Sequence, residues 1–244
     1  MYQLSIIIPT LNEEACLAQT LQHLQYLSPR SYEIIVADGG SSDNTKYIAS
    51  RFAVKFLETG KTGRAAQMNA GAAQATGEYL CFLHADTEVP ADLVKIIGDT
   101  LHDPRISLGS FVSVMGSPTN IHYFTTALNY SKTWLGPLLY SPYRCLFKGL
   151  RLLFGDQAMF CRNHDFRQVG GFDDDMLIME EAYLCDSMNH LGKIVQLPQR
   201  VYTSDRRIAR LGFWKAHAIY LGIFLLWALG VSPEKLHHFY KNIR

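Results

Sequence analysis

The chain is expected to form an α/β fold, a Rossmann-like, mostly parallel sheet with helices on both faces. Three observations carry that expectation. Short, apolar, β-branched runs recur through the first 105 residues. Segments of helical period separate them. Each run stops abruptly in polar or glycine-rich residues, as strands do where a sheet opens onto a ligand edge.

Leu4 to Ile8 is continuously apolar, which suits a parallel strand buried on both faces. Asn12 can cap a helix starting at Glu13 and Glu14, and Leu17, Leu21 and Leu24 continue it at helical spacing. Tyr32 to Ala37 reads as a second strand, and the Asp38–Asp43 turn cluster leads into a helix. Val54 to Leu57 is a short third strand, Gly63 to Ala75 a helix, and Glu78 to Leu83 a fourth strand. Beyond residue 105 the rhythm breaks. Ser107 to Met115 reads as a strand, Asn120 to Leu135 as a helix, Gln157 to Cys161 as a return to the sheet, and Glu180 to His190 as a helix stopped by Gly192. Three stretches follow: 1–105 and 106–205, two halves of one domain, and 206–244, C-terminal helices.

Bulk properties exclude some classes. The net charge of +1 lacks the basic excess of a general nucleic-acid binder. The N-terminus has no basic n-region and too short an apolar run for a signal peptide, so the expected location is the cytoplasm. Five scattered cysteines without a CxxC pair read as free thiols. Charged residues make up only 18%, below the ~25% of ordinary soluble domains. The segment 218–231 has 14 uncharged residues, short of the ~20 of a spanning helix. It and the apolar, basic stretch 136–154 could instead rest on a membrane's inner face, or form core or a dimer interface.

Four polar clusters at strand or helix ends are the candidate chemistry. Pro9, Thr10, Asn12 and Glu13 follow strand one, where capping also explains Asn12. Asp38 precedes two glycines that let a ligand approach the backbone. Arg64, Gln67 and Asn69 lie near a helix start, a place that favours phosphate. His84 and Asp86 are two apart, so on an extended chain they point to one side. Asp86 suits Mg²⁺ or Mn²⁺, which often take one or two carboxylates and complete their shell with phosphate and water. His84 suits Mn²⁺ better than Mg²⁺.

In combination, SIIIPTLNEE, IIVADGGSSDNT, GRAAQMNAGA and YLCFLHADTEVP resemble the nucleotide-sugar-binding half of family 2 glycosyltransferases, which have the GT-A fold. GDQAMFCR, VGGFDDDMLIMEE, TSDRRIARLG and LGVSPEKLHHFY resemble acceptor-side motifs of one bacterial subfamily. The resemblance makes 1–105 the nucleotide-sugar-binding half and 106–205 the acceptor-side half of the domain. It implies that Pro9, Thr10, Asn12 and Glu13 line base and ribose, that Asp38 bonds the base edge, and that Arg64 and Asn69 lie near base and diphosphate. Asp86 matches the metal-binding aspartate of the DxD-type motif, with His84 where many relatives have a second aspartate. Glu180-Glu181 matches the pair that supplies the catalytic base, and Glu181 stands where the family has aspartate. Asp156 and Gln157 would contact donor sugar or acceptor, and Arg206 and Arg207 the diphosphate or an anionic acceptor. The implied activity is metal-dependent, inverting sugar transfer from a UDP- or GDP-sugar to a hydroxyl acceptor, and the apolar stretches 136–154 and 218–231 suggest that this acceptor is lipid-linked or otherwise apolar. A non-catalytic nucleotide-sugar-binding protein and a sugar nucleotidyltransferase are the alternatives. The second would usually show a glycine-rich loop where PTLNEE stands.

Overall fold

A computed structural model describes residues 3–61, 63–176, 178–204, 206, 212–232 and 235–236. The elements are β1 (Leu4–Thr10), α1 (Leu17–Leu24), β2 (Tyr32–Asp38), α2 (Thr45–Ser50), β3 (Lys55–Glu58), α3 (Arg64–Ala73), β4 (Tyr79–Phe82), β5 (Thr87–Glu88), α4 (Leu93–Leu101), β6 (Ile106–Ser117) and β7 (Asn120–Ile121). Then come α5 (Tyr123–Tyr140), α6 (Pro142–Phe147), a 3-10 turn (Gly155–Gln157), β8 (Met159–Arg162), α7 (Asn163–Gln168), α8 (Glu180–Met188), β9 (Lys193–Thr203) and α9 (Phe213–Ala228).

The strands form one sheet in the order β3-β2-β1-β4-β8-β6-β9-β5, with β7 paired to β6. The first four are mutually parallel. β8 then runs antiparallel between β4 and β6, joining the first hundred residues to the rest through hydrogen bonds. β6 and β9 are again parallel. Alternation along the buried strands sends side chains to two cores. Ile7, Ile35, Leu80 and Phe82 pack with Met68 of α3, Phe166 of α7 and Leu184 of α8. Ile6, Ile8, Val36 and Cys81 pack on the opposite face with Leu21 of α1 and Val94 and Ile97 of α4. The five cysteines are free thiols.

Two local expectations are corrected. The first helix starts at Leu17, and Asn12 does not cap it. Asn12 adopts a left-handed φ of 57° and its Oδ1 accepts from the Ser42 amide at 2.9 Å, stapling the loop after β1 to the loop after β2. Residues 84 to 87 are not extended: the Thr87 amide donates to the His84 carbonyl at 3.3 Å, so the chain turns there. His84 and Asp86 nevertheless line one cavity. The strand β9 and helices α4, α6 and α7 were not singled out from sequence, although Leu93, Val94, Ile97 and Leu101 of α4 recur at helical spacing and are buried.

Candidate active site

The carboxyl ends of β1, β2 and β4 form one rim because the three strands are parallel and adjacent. Thr10 and Asp38 are register partners at that rim. Asp38 is 3% exposed, and both its oxygens are engaged. Oδ1 accepts from Thr10 Oγ1 at 2.8 Å and Ser41 Oγ at 2.6 Å; Oδ2 accepts from the amides of Gly40 at 3.0 Å and Ser41 at 2.8 Å. A carboxylate offers about four acceptor positions. In this arrangement Asp38 therefore shapes its own loop and does not present a bare edge to a base. Pro9 is likewise buried within β1.

The Asn69 carboxamide, expected near base and diphosphate, is engaged elsewhere. Its Nδ2 donates to the Phe172 carbonyl at 2.7 Å and to Asp174 Oδ1 at 2.6 Å, while its Oδ1 accepts from the Phe172 amide at 2.9 Å. These bonds tie the GGF loop to α3. A Cβ on Gly171, which has φ 76°, would fall 2.6 Å from Asn69 Oδ1, so glycine is required for the tie. Gln157 is 1% exposed and engaged on both sides, accepting from Ser110 Oγ at 3.2 Å and donating to Thr133 Oγ1 at 2.9 Å. It supports the site from behind and does not line the cavity.

Around the turn after β4 the geometry converges. A cavity of about 250 Å³ is lined by Arg64, His84, Asp86, Gly155, Asp156 and Glu181 on one side and by residues of α5 and α9 on the other. Arg64 opens α3 after Gly63, whose φ of 125° an L side chain rarely adopts. Its guanidinium meets Glu180 Oε1 at 3.2 Å and Glu181 Oε1 at 3.8 Å. It also lies 3.0 Å from His84 Nε2. Guanidinium nitrogens only donate, so His84 Nε2 accepts in this contact and its proton sits on Nδ1.

The two glutamates begin α8 directly after Met179, itself left-handed at φ 63°. That strained residue turns the chain so that consecutive carboxylates enter the interior. Glu180 is 2% exposed, faces Arg64, and its Oε2 has no hydrogen-bond partner among the described residues. Glu181 faces the cavity. Burial, reinforced by the neighbouring Glu180 and opposed by Arg64, pushes its pKa up to about 7. Gly155 makes room for it: a Cβ there would fall 2.7 Å from Glu181 Oε1 and 2.5 Å from His84 Nε2.

Asp156 Oδ2 accepts from Ser113 Oγ at 2.7 Å and Asn129 Nδ2 at 3.2 Å. Removal from water raises its pKa, against the pull of Ser113 and Lys132. Burial lowers that of Lys132, against the pull of Asp156. Lys132, Asn129, Ser113 and Gly155 belong to the site but were not singled out from sequence. A lone lysine inside an apolar helix, and a glycine directly before the Asp156 motif, were the available signals.

Asp86 borders this cavity and a second, which is lined also by Cys16, Gln19, Glu88, Tyr202 and Arg206. Its Oδ2 and Glu13 Oε2 both lie 3.0 Å from Arg206 Nη2. Arg206 thus joins the loop after β1 to the loop after β4, while Arg207 lies outside the described residues. No group of three or more His, Cys, Asp or Glu side chains among the described residues is arranged to hold an ion. A single accessible carboxylate fits a Mg²⁺- or Mn²⁺-like ion whose other ligands are phosphate and water. Arg206 on Oδ2 marks Asp86 as the place where positive charge is held.

Residues 5–166 match the family model described as Glycosyl transferase family 2. Curated proteins similar to the chain include succinoglycan biosynthesis protein ExoA of Rhizobium meliloti, 28% identical over 222 residues, which cover 86% of this chain and 66% of ExoA. They also include the GalNAc(5)-diNAcBac-PP-undecaprenol beta-1,3-glucosyltransferase of Campylobacter jejuni, 33% identical over 96 residues, or 36% of this chain and 31% of that protein. The chain spans less than two thirds of the length of these curated relatives. Among solved structures, a mannosyltransferase from Pyrobaculum calidifontis in complex with GDP-Man and Mn²⁺ is 18% identical; the match covers 100% of this chain and 70% of that one, with a TM-score of 0.70. Glucosyl-3-phosphoglycerate synthase from Mycobacterium tuberculosis, with Mn²⁺, UDP and glucosyl-3-phosphoglycerate, is 19% identical over 95% of this chain and 81% of that one, with a TM-score of 0.64. The structural likeness bears on the fold, which is GT-A. The family match extends across the parallel strands β1 to β4, the His84–Asp86 turn and the Asp156 motif, and so the chain belongs to glycosyl transferase family 2, a family of sugar-transferring enzymes.

Proposed function

We propose that the protein transfers a sugar from a nucleoside-diphosphate sugar to an acceptor hydroxyl, with inversion at the anomeric carbon and dependence on Mn²⁺ or Mg²⁺. The observation that carries this reading is one cavity where Asp86, Arg64 and Glu181 meet. Asp86 would hold the metal, which when bound neutralises charge on the diphosphate. Arg64 sits at a helix N-terminus and offers guanidinium donors to the same group, the preorganised charge a leaving diphosphate needs. Glu181 takes the proton of the acceptor hydroxyl. A carboxylate held near neutrality is well placed for this, because a base works best with a pKa near the working pH.

The cavity favours Glu181 over Glu180 as the base, since Glu180 is turned toward Arg64 behind it. The absent side chain at Gly155 accommodates the extra methylene of glutamate relative to aspartate. Asp156 is offered as a contact to donor sugar or acceptor, Arg206 as a contact to the diphosphate once it leaves Asp86, and Glu13 as part of the nucleotide edge. Binding of the base falls to the loop that Asp38 braces. UDP and GDP both appear in related complexes, among them GDP-Man and UDP bound with Mn²⁺.

The test is thermal stabilisation by a panel of UDP- and GDP-sugars, each with Mn²⁺, Mg²⁺ or chelator. At least one donor should stabilise the protein with metal and fail to do so with chelator, and Asp86→Ala should remove the metal-dependent part. Equal stabilisation in chelator would overturn the metal half of the reading. Stabilisation without donor hydrolysis or transfer to any hydroxyl acceptor would favour a binding protein instead.

A further inference from the structure

We infer that the face built by α5, α6 and α9 docks on an anionic lipid bilayer, and that the acceptor enters the cavity from that face as a lipid-borne molecule. The first part stands on the surface alone; the second rests on the proposed sugar transfer.

A helix on a soluble surface turns its apolar side inward. α9 also exposes one. Trp214, Leu221, Leu225 and Leu229 are exposed and follow one another at spacings of seven, four and four, so one stripe of the helix and its C-cap presents apolar groups to solvent. α5 and α6 add Leu139 and Phe147, 63% and 74% exposed. The three helices form one surface: α5 packs on α6 and on α9, where Phe224 lies so close to Gly136 that a Cβ would come within 2.7 Å. Apolar patches of this kind on a single chain mark an interaction site.

Charge decides which partner. Residues 104–155 contain no aspartate or glutamate, and neither do residues 206–233. Of the cations in the first stretch, Arg105 pairs with Asp103, Arg144 pairs with Asp186 and Lys132 is buried toward Asp156, which leaves Lys148 and Arg151 for this face; the second stretch carries Lys215 among its cations. Lys148 and Lys215 are exposed and follow the exposed Phe147 and Trp214 directly in sequence, and Arg151 stacks over Trp134 with its guanidinium carbon 4.5 Å from the ring centroid. Exposed apolar side chains flanked by cations, with the neighbouring acid Asp186 already paired to Arg144, are complementary to anionic headgroups over acyl chains. No described helix is long and apolar enough to cross a membrane. At 16 residues and about 1.5 Å per residue, α9 would lie along the surface.

The same helices wall the cavity. Thr125, Asn129 and Lys132 of α5 and His217, Tyr220, Ile223 and Phe224 of α9 line it, opposite Glu181 and Asp156. An acceptor whose hydroxyl reached Glu181 would therefore lie between two helices whose outer sides meet lipid.

The test is co-sedimentation of the full chain with phosphatidylcholine vesicles, with and without phosphatidylglycerol. Binding should require the anionic lipid and weaken with salt. Lys148→Glu with Lys215→Glu should cut it about tenfold or more. Leu225→Asp with Leu229→Asp should abolish it, with donor-dependent thermal stabilisation retained as proof of folding. Equal partitioning to neutral and anionic vesicles, or none, would overturn the docking. So would a leucine variant that changes oligomeric state in size-exclusion chromatography but still binds vesicles; the face would then join two copies of this chain. If docking holds and transfer to a short-chain soluble alcohol is as fast as to an amphiphilic long-chain alcohol in vesicles, the lipid-borne acceptor is wrong while the sugar transfer stands.

Discussion

Asp38 and the Glu180–Glu181 pair are all buried carboxylates at the ends of elements, yet their surroundings are opposite. Asp38 receives four hydrogen bonds from its own loop and from Thr10. The glutamates share one arginine; one oxygen of Glu180 has no partner among the described residues, and Glu181 is shifted toward neutrality. A buried acid that is fully satisfied holds structure together. One left partly unsatisfied stores free energy that chemistry can use. The Asp38 side of the rim is thus built for rigidity, and the Glu180–Glu181 side has the unsatisfied charge that the proposed proton transfer needs.

The comparison is broken most severely by Glu181→Gln, which keeps the shape and removes the proposed base. Steady-state kinetics should show kcat reduced by about 10²–10⁴, with donor affinity little changed. A larger loss from Glu180→Gln than from Glu181→Gln would exchange the two roles. Asp38→Ala should act on stability, costing about 2–4 kcal/mol in urea unfolding because several buried donors lose their acceptor. pH sharpens the contrast. Glu181 has a folded pKa of about 7 against an ordinary value of 4.5, so the unfolded chain loses this proton first. Its contribution to stability should fall as pH rises from 4.5 to about 7 and then level off. Glu181→Gln should flatten that fall and raise Tm above neutral pH by about 3–6 °C for about 1–2 kcal/mol. Wild-type kcat should rise through the same window, as the base loses its proton. The smallest effect is expected from Asn69→Ala, about 1–2 kcal/mol, with faster amide exchange in residues 171–174.

Much of the architecture was legible because buried parallel strands leave an unbroken apolar trace. β1, β2 and β4 and the polar groups at their tips were read from such runs. The roles of those groups were harder. Asn12 looked like a helix cap because a polar residue before Glu-Glu and spaced leucines fits that pattern, yet it bridges two loops far apart in sequence. Asp38 and Asn69 were expected at ligand edges, but long-range partners such as Thr10 and Phe172 occupy them. His84 and Asp86 were aligned on an assumption of extended backbone that the turn at 84–87 removes. Local pattern reports which residues are polar and near strand ends. It does not report which partner, brought by the sheet from a hundred residues away, has already claimed each one.

The space around Gly155 has an evolutionary corollary. His84, Gly155 and Glu181 compete for one small volume, with two reaching side chains tolerated because the third position has none. They should therefore change together across descendants of a common ancestor. Lineages with shorter acids at 84 and 181 would be released from glycine at 155, whereas a methyl group acquired there first would close the route to the longer pair.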